Sequence, residues 1–235
     1  MSPMKGVRER ARAETIAEIV TAARRQLAEV GPANLSLRAV ARELGVVSSA
    51  VYRYVASRDE LLTLLIIEAY DSLGAHTERA VVDSVGRPPA QRWVGAALAV
   101  RAWALDHRHE YALVFGTPVP GYDAPETTTA SGTRVSFALV GIVRDAWRDG
   151  LLDAPAGPPP PTALTPDLEI LRDALDLPAP DTVLVATLAA WSQLLGLVGL
   201  ELFGQTRGVV EHHEELFRAT TAVMAAQLGL RADTA

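Results

Sequence analysis

The chain has 235 residues, carries a formal net charge of −6 and contains no cysteine. This length allows one or two domains, each able to bury a hydrophobic core. Without cysteine, disulfide bonds and thiolate metal sites are excluded. The charged start MSPMKGVRERARAE has no apolar stretch behind it, so we expect no secretory signal and a cytoplasmic protein.

Charge is distributed unevenly along the chain. Residues 1–58 hold one lysine and nine arginines against five glutamates, a balance of +5, whereas the remainder holds 12 basic and 23 acidic residues, a balance of −11. A basic end on an acidic body is typical of a protein whose one end meets a polyanion such as DNA. A solvated, arginine-rich helix would give the same count, so charge alone leaves both interpretations open.

Apolar residues recur at steps of three and four throughout, and no alternating run indicates a strand, so we predict an all-α fold. The first three helices are predicted at about 9–30, 37–44 and 48–54. Gly31-Pro32 ends the first, and Ser36 and Ser48 can cap the second and third. Further helices are predicted at about 58–84, 88–106, 108–115, 127–149, 165–177, 181–204 and 209–228, with a mobile, proline-rich segment at 154–165.

Ser57-Arg58-Asp59-Glu60 has the form of a capping box at the start of the fourth helix. The Ser57 hydroxyl is expected to accept a hydrogen bond from the Glu60 N–H, and the Glu60 carboxylate to reach back to Ser57.

The segment 36–46 fits the short turn of a helix-turn-helix. Ala41 is small where two helices cross, and Gly45 allows a positive φ. We expect a small core beneath, formed by Val40, Leu44, Val46 and Val51.

The outer side of helix 48–54 then offers small or polar side chains to the bases of a DNA major groove. These are Val47, Ser48, Ser49, Ala50 and Arg53. Tyr52, Tyr54, Arg58 and the backbone at Ser36 are expected to reach phosphates.

The run SLRAVARELGVVSSAVYRYVASRDEL, residues 36–61, resembles the signature of the TetR family of transcriptional regulators. Two positions depart from the usual pattern: Val47 replaces a Ser or Thr cap, and Val55 replaces Phe. The matching positions are Ser36, Arg38, Ala41, Gly45-Val46, Tyr52-x-Tyr54 and Ser57-Arg58-x-x-Leu61.

The resemblance implies an N-terminal three-helix DNA-binding domain at 1–57, with Arg38 among its DNA contacts, and a helical effector-binding and dimerisation domain at 58–235. It implies a homodimer on double-stranded DNA with an inverted-repeat operator, and an unknown small-molecule effector that releases the DNA. No cofactor is expected. The segments at 110–118 and Trp191-x-x-Leu194-Leu195-Gly196 resemble a subgroup named for a Trp-His-Gly motif, with Leu195 in place of the histidine.

Residues 182–200 form an uncharged run of 19, at the lower limit of a membrane span. Thr187, Ser192 and Gln193, and the lack of flanking Lys or Arg, favour a helix that packs in protein instead. We expect helices 181–204 and 209–228 to form a four-helix dimer seam, with Gly196 and Gly199 allowing close approach, and we expect no membrane contact.

The aromatic residues of the second part pack in the core or line an effector pocket. Arg101 lies in an apolar run and is either an internal ion-pair partner or a group that orients a ligand. The pocket candidates are Trp93, Arg101, Trp103, Tyr111, Phe115, Phe137 and Trp191.

Motifs of catalysis and metal binding are missing from the sequence. His212 and His213 are adjacent and point about 100° apart on a helix, so they do not chelate one metal jointly. We therefore expect no enzyme and no metal site, and favour a repressor released from DNA by a small molecule. The alternatives are a TetR-like regulator that activates or binds DNA without a ligand, and a helical enzyme or lipid carrier with the same fold.

Overall fold

A computed structural model describes residues 3–233, with side chains from Gly6 onward. This part of the chain is helical, as predicted, and holds no strand beyond an isolated antiparallel bridge between Leu152 and Leu230. Its α-helices are α1 (Pro3–Val30), α2 (Leu37–Glu43), α3 (Ser48–Tyr52), α4 (Arg58–Asp83), α5 (Pro89–Asp106), α6 (Arg108–Phe115), α7 (Thr129–Gly132), α8 (Arg134–Arg148), α9 (Thr165–Ala174), α10 (Asp181–Leu202) and α11 (His213–Gln227).

The main departure from the predicted helices lies at 127–149, where one continuous helix was expected. The structure has a 3-10 turn at Glu126–Thr128, then α7, and α8 begins only at Arg134. Gly132 ends α7, and glycine is a weak helix former. Helix α1 begins six residues earlier than predicted, since its polar first turns carry no apolar period to indicate a helix.

By internal packing the chain divides into two compact units. The first unit comprises the chain up to Asp71 together with His107–Gly132, and the second comprises Ser72–Asp106 and the chain from Thr133 onward. The division at 57/58 predicted from the sequence separates functions, whereas packing keeps the start of α4 with the first unit. Leu61, Leu62 and Leu65 are buried in the same core as Ile19, so a cut before α4 would pass through that core.

The first unit has one hydrophobic core beneath α2 and α3. Ile19 and Leu27 of α1 contribute to it, as do Leu113 of α6 and the first turns of α4. At its surface, Arg24 of α1 forms ion pairs with Glu68 of α4 and Glu110 of α6. Burial of the apolar faces therefore fixes the helices that carry the helix-turn-helix.

In the second unit, α5 packs on α8, α10 and α11. Helix α11 ends at Gly229, which has a φ of 77° and accepts a hydrogen bond from the Asp153 N–H at 2.9 Å. Helix α10 is long and apolar enough to cross a membrane by length and composition alone, and a helix in a protein core meets the same criteria. In the second unit it buries one face, which includes Val183, Leu194 and Val198.

Candidate nucleic-acid interface and ligand cavity

The turn between α2 and α3 has the geometry that its sequence predicts. Gly45 has a φ of 68°, in the left-handed region that favours glycine. The N–H of Val46 donates to the carbonyl of Ala41 at 2.9 Å, which closes the end of α2. The turn places α3 immediately after α2, the order of a DNA-reading helix pair.

Helix α3 has an inner and an outer face. Val51 is buried, and Val55 beyond the helix is buried with it. Ser49, Tyr52 and Arg53 are exposed on the outer face, at spacings of three and four residues that place them side by side.

The other residues predicted to face DNA lie beside that outer face. Ser48 and Ala50 are half-buried, and Val47 is 71% exposed. The prediction that Val46 belongs to the core is wrong, because its side chain is exposed while its backbone closes the turn.

The helix starts differ in detail from the predicted caps. Val47, not Ser48, is the N-cap of α3, and neither it nor Ser36 at α2 makes a side-chain cap hydrogen bond. The backbone N–H of Ser36 donates to Oε1 of Gln26 at 3.4 Å, so this N–H is engaged within the protein.

Free positive charge lies on the two helices of the motif. Arg38 and Arg53 are exposed, and neither takes part in an ion pair among the residues that the structure describes. Arg25, in contrast, is neutralised by Glu43 of α2. Exposed, unpaired guanidinium groups are the groups that phosphates attract.

Arg58 is held within the protein. Its guanidinium donates to the carbonyls of Pro32 at 2.9 Å and Ala33 at 3.2 Å, and it lies 3.5 Å from the Asp59 carboxylate. The expectation that the Arg58 side chain is fully exposed is therefore wrong. Its carbonyl contacts tie the start of α4 to the segment after α1.

The capping box at the start of α4 is present with one change. The Glu60 N–H donates to Oγ of Ser57 at 3.1 Å, as predicted. The Glu60 carboxylate accepts from the Ala56 N–H at 2.6 Å instead of from Ser57. The box thus caps the helix and also fixes the chain between α3 and α4.

Tyr54 is half-buried against the core of the first unit. The Arg12 guanidinium lies over its ring, 5.5 Å from the ring centroid, a cation–π arrangement. Arg12 is exposed, so the basic first turns of α1 reach the end of α3, a contact that the sequence pattern did not predict.

The second unit contains an apolar cavity of about 230 Å³ between α5, α8, α9 and α10. Trp93 belongs to α5, Phe137 to α8 and Trp191 to α10. The cavity is lined by Trp93, Thr133, Ser136, Phe137, Leu139, Val140, Leu171, Leu175, Thr187, Leu188 and Trp191.

The far side of α10 is exposed. Its residues recur at steps of three and four and are apolar or small, and α11 has a similar stripe. On α10 the stripe is Val185, Ala189, Ser192, Gly196, Leu200 and, just beyond the helix, Phe203; on α11 it is Leu216, Ala219, Val223 and Gln227.

Two family matches cover most of the chain. Residues 19–65 match the bacterial regulatory proteins of the tetR family, and residues 93–224 match the tetracyclin repressor-like, C-terminal domain. The chain belongs to the TetR family. It is a DNA-binding transcriptional regulator with a helix-turn-helix.

Relatives and solved structures agree with this assignment. HTH-type transcriptional regulator Rv1816 of Mycobacterium tuberculosis is 42% identical over 206 residues, which are 85% of this chain and 86% of that protein. The crystal structure of regulatory protein SCO4313 is 37% identical with a TM-score of 0.76, and the match covers 93% of this chain and 98% of that one. RolR, solved with resorcinol, shares the fold at 16% identity and a TM-score of 0.54, over 95% of this chain and 92% of RolR.

Among the pocket candidates, the structure brings Trp93, Phe137 and Trp191 of this TetR-family chain together in one cavity. Arg101 is paired with Glu201, and the Trp103 indole donates to Oγ of Ser72 at 3.0 Å. Neither lines the cavity.

Tyr111 and Phe115 pack against each other in the first unit, with ring centroids 5.0 Å apart. Burial raises the pKa of the Tyr111 hydroxyl. Both residues are core residues, the alternative that their helical spacing left open.

Sequence reasoning missed most of the cavity lining, including Ser136, Leu171, Leu175 and Thr187. Helical periodicity identifies the buried face of a helix but gives no indication of where facing helices leave a space. The C-terminal match names no Trp-His-Gly subgroup, so that resemblance stays a prediction.

Proposed function

We propose that the protein is a homodimeric cytoplasmic repressor that leaves an inverted-repeat operator when a small molecule enters the cavity of the second unit. The observation that carries the proposal is the position of α10. Thr187, Leu188 and Trp191 on one side of this helix line the cavity, while Val185 and Gly196 lie on its exposed side. A ligand in the cavity therefore presses on the same helix that offers a surface for a second subunit.

The exposed stripes of α10 and α11 form the proposed dimer seam. Leu200 is 42% exposed and Val223 is 55% exposed, and contiguous exposed apolar groups of this kind mark protein interfaces. Gly196 has no atom within 4 Å of the position that a Cβ would take, so a facing helix has room to approach. Two helices from each subunit would then pack as a four-helix bundle.

In such a dimer each subunit presents one α3, so two half-sites are read by symmetry. The proposed base-reading set is Val47, Ser48, Ser49, Ala50 and Arg53, and the proposed phosphate set is Ser36, Arg38, Tyr52 and Tyr54. The exposed outer face of α3 and the unpaired arginines support this assignment. Arg58 is proposed to act on DNA binding through the turn it holds, because its donors already have protein partners.

Effector control is supported by the cavity and by a fold neighbour. RolR was solved with resorcinol, so this architecture accommodates a small aromatic molecule. A small change in the spacing of two rigid helices moves both recognition helices, because the two half-sites are fixed one or a few turns apart, each about 34–36 Å.

The test combines selection and release. Random DNA duplexes are selected on the full-length protein, and the enriched operator is used in anisotropy titrations with a compound library. We expect a palindromic sequence bound by a dimer and at least one compound that lowers operator affinity. Enrichment of a single half-site by a monomer would contradict the dimer, and compounds that bind the protein without changing operator affinity would contradict ligand-relieved repression.

A further inference from the structure

No charged side chain lines the cavity of the second unit. Its eleven lining residues include no Asp, Glu, Lys, Arg or His. Because moving an ion into an apolar site without a counter-charge is strongly unfavourable, the cavity disfavours carboxylates and amines in their charged forms.

The volume of the cavity sets the size of its occupant. A cavity of about 150 Å³ holds a benzene molecule, and pockets for drug-sized ligands start at about 300 Å³. At about 230 Å³ this cavity accommodates one ring with substituents or two fused rings.

Trp93 supplies an unused hydrogen-bond donor in the cavity wall. Its side chain is 1% exposed, and its Nε1 is buried without an acceptor among the protein atoms that the structure describes. An indole N–H can only donate. Buried donors are nearly always satisfied, so this one fits a ligand that brings its own acceptor.

The nearby hydroxyls complement that donor weakly. The Thr187 hydroxyl donates to the carbonyl of Val183 at 2.7 Å, which leaves only its lone pairs for a ligand. Ser136 adds a hydroxyl able to donate or accept. The wall is otherwise hydrocarbon and aromatic, with Phe137 and Trp191 offering ring faces.

We propose that the effector is an uncharged, mainly apolar molecule of one or two fused rings with a carbonyl-type oxygen, and that this oxygen accepts a hydrogen bond from Nε1 of Trp93. The inference rests on the proposed function in one respect only, namely that this cavity is the effector site.

The experiment compares three probes of similar size on the full-length protein by isothermal titration calorimetry. They are 1-tetralone, a neutral bicyclic ketone; tetralin, the corresponding hydrocarbon; and 1-naphthoate, a carboxylate. We expect 1-tetralone to bind about tenfold more tightly than tetralin, the worth of one buried hydrogen bond, and 1-naphthoate to bind more weakly than either.

The Trp93→Phe variant removes the N–H and keeps an aromatic ring. In it the preference for 1-tetralone over tetralin should fall to about onefold, while in Trp147→Phe, a tryptophan outside the cavity lining, the preference should persist. A second measurement needs no variant at the cavity: the indole ¹H–¹⁵N resonance of Trp93 should shift on adding 1-tetralone and stay in place with tetralin.

Three outcomes overturn the proposal: no probe binds, 1-naphthoate binds as tightly as 1-tetralone, or the ketone preference survives in Trp93→Phe. Operator release is followed separately by anisotropy. If 1-tetralone binds through Trp93 but the operator complex persists, the ligand class is supported and the release mechanism of the proposed function fails.

Discussion

The guanidinium of Arg101 and the carboxylate of Glu201, a hundred positions apart in the chain, form two hydrogen bonds of 2.7 and 2.6 Å between α5 and α10. Both side chains are nearly buried, at 12% and 13% exposed. The hydrogen bond from Arg101 to Glu201 raises the pKa of the Arg101 guanidinium above its ordinary value, and the group also lies over the Phe217 ring. Arg101 is thus the internal ion-pair partner, the first of its two sequence-based interpretations.

Removing one partner of this pair should destabilise the protein. In Glu201→Gln the Arg101 charge stays buried with a neutral partner, so we expect the free energy of unfolding to fall by about 3 kcal/mol. Urea unfolding followed by circular dichroism measures the change.

The matched control is Arg148→Ala. Arg148 pairs with Asp176 at the surface, where the two side chains are 52% and 70% exposed, so the loss should stay below about 1 kcal/mol. The double variant Arg101→Met/Glu201→Leu should recover part of the stability lost in Glu201→Gln. Equal losses in Glu201→Gln and Arg148→Ala would mean that the buried pair carries no special weight.

Arg58 should affect stability as well as DNA binding. Arg58→Ala removes the donors to the Pro32 and Ala33 carbonyls, and since the side chain is half-buried we expect a loss of about 1–2 kcal/mol in unfolding free energy. The reference is Arg38→Ala, which removes an exposed arginine and should stay within about 0.5 kcal/mol. Unchanged stability in Arg58→Ala would show that its carbonyl contacts are dispensable.

These arginines show where sequence reasoning reaches its limit. The helical period predicted the fold class, and the turn at Gly45 followed from one glycine between two short helices. The partners of Arg58 and Arg101 could not be predicted, because each lies in a segment distant along the chain and only packing brings the two together. The cavity is similar, since Leu171 and Thr187 read as ordinary core residues until the space between their helices is seen.

On DNA, the Arg38→Ala variant should weaken binding to operator and to random duplex by about the same factor. Arg38 is exposed and unpaired among the described residues, and a phosphate contact carries no base information. The slope of log K against log salt should flatten by about 0.9 per lost contact. Anisotropy titrations between about 50 and 200 mM salt measure it, and a loss confined to operator DNA would assign Arg38 to base reading instead.

Ser49→Ala should behave in the opposite way. Ser49 lies on the exposed outer face of α3, so its loss should change the preferred base at one position of each half-site by about 1–3 kcal/mol. Repeating the random-duplex selection with this variant reveals the change, while the salt slope should match that of the unaltered protein. An identical selected sequence would place Ser49 away from the bases.

The dimer seam can be tested at Gly196 without disturbing the subunit. A Cβ at this position meets no atom within 4 Å in the described chain, and replacing glycine inside a helix favours the helix by up to about 1 kcal/mol. Gly196→Arg should therefore leave each subunit folded. In the proposed seam, however, the same arginine would put a bulky charge between facing helices, and no nearby carboxylate is on the exposed stripe of α10 to balance it. We expect sedimentation velocity to show a shift from dimer to monomer at micromolar concentration. Operator affinity should fall with it, since each half-site is then bound without the gain from linking two heads. The control is Ile170→Arg, which changes an apolar residue 69% exposed on α9 and outside the stripe, and which should leave the dimer intact. A Gly196→Arg protein that stays dimeric would show that the subunits meet through another surface.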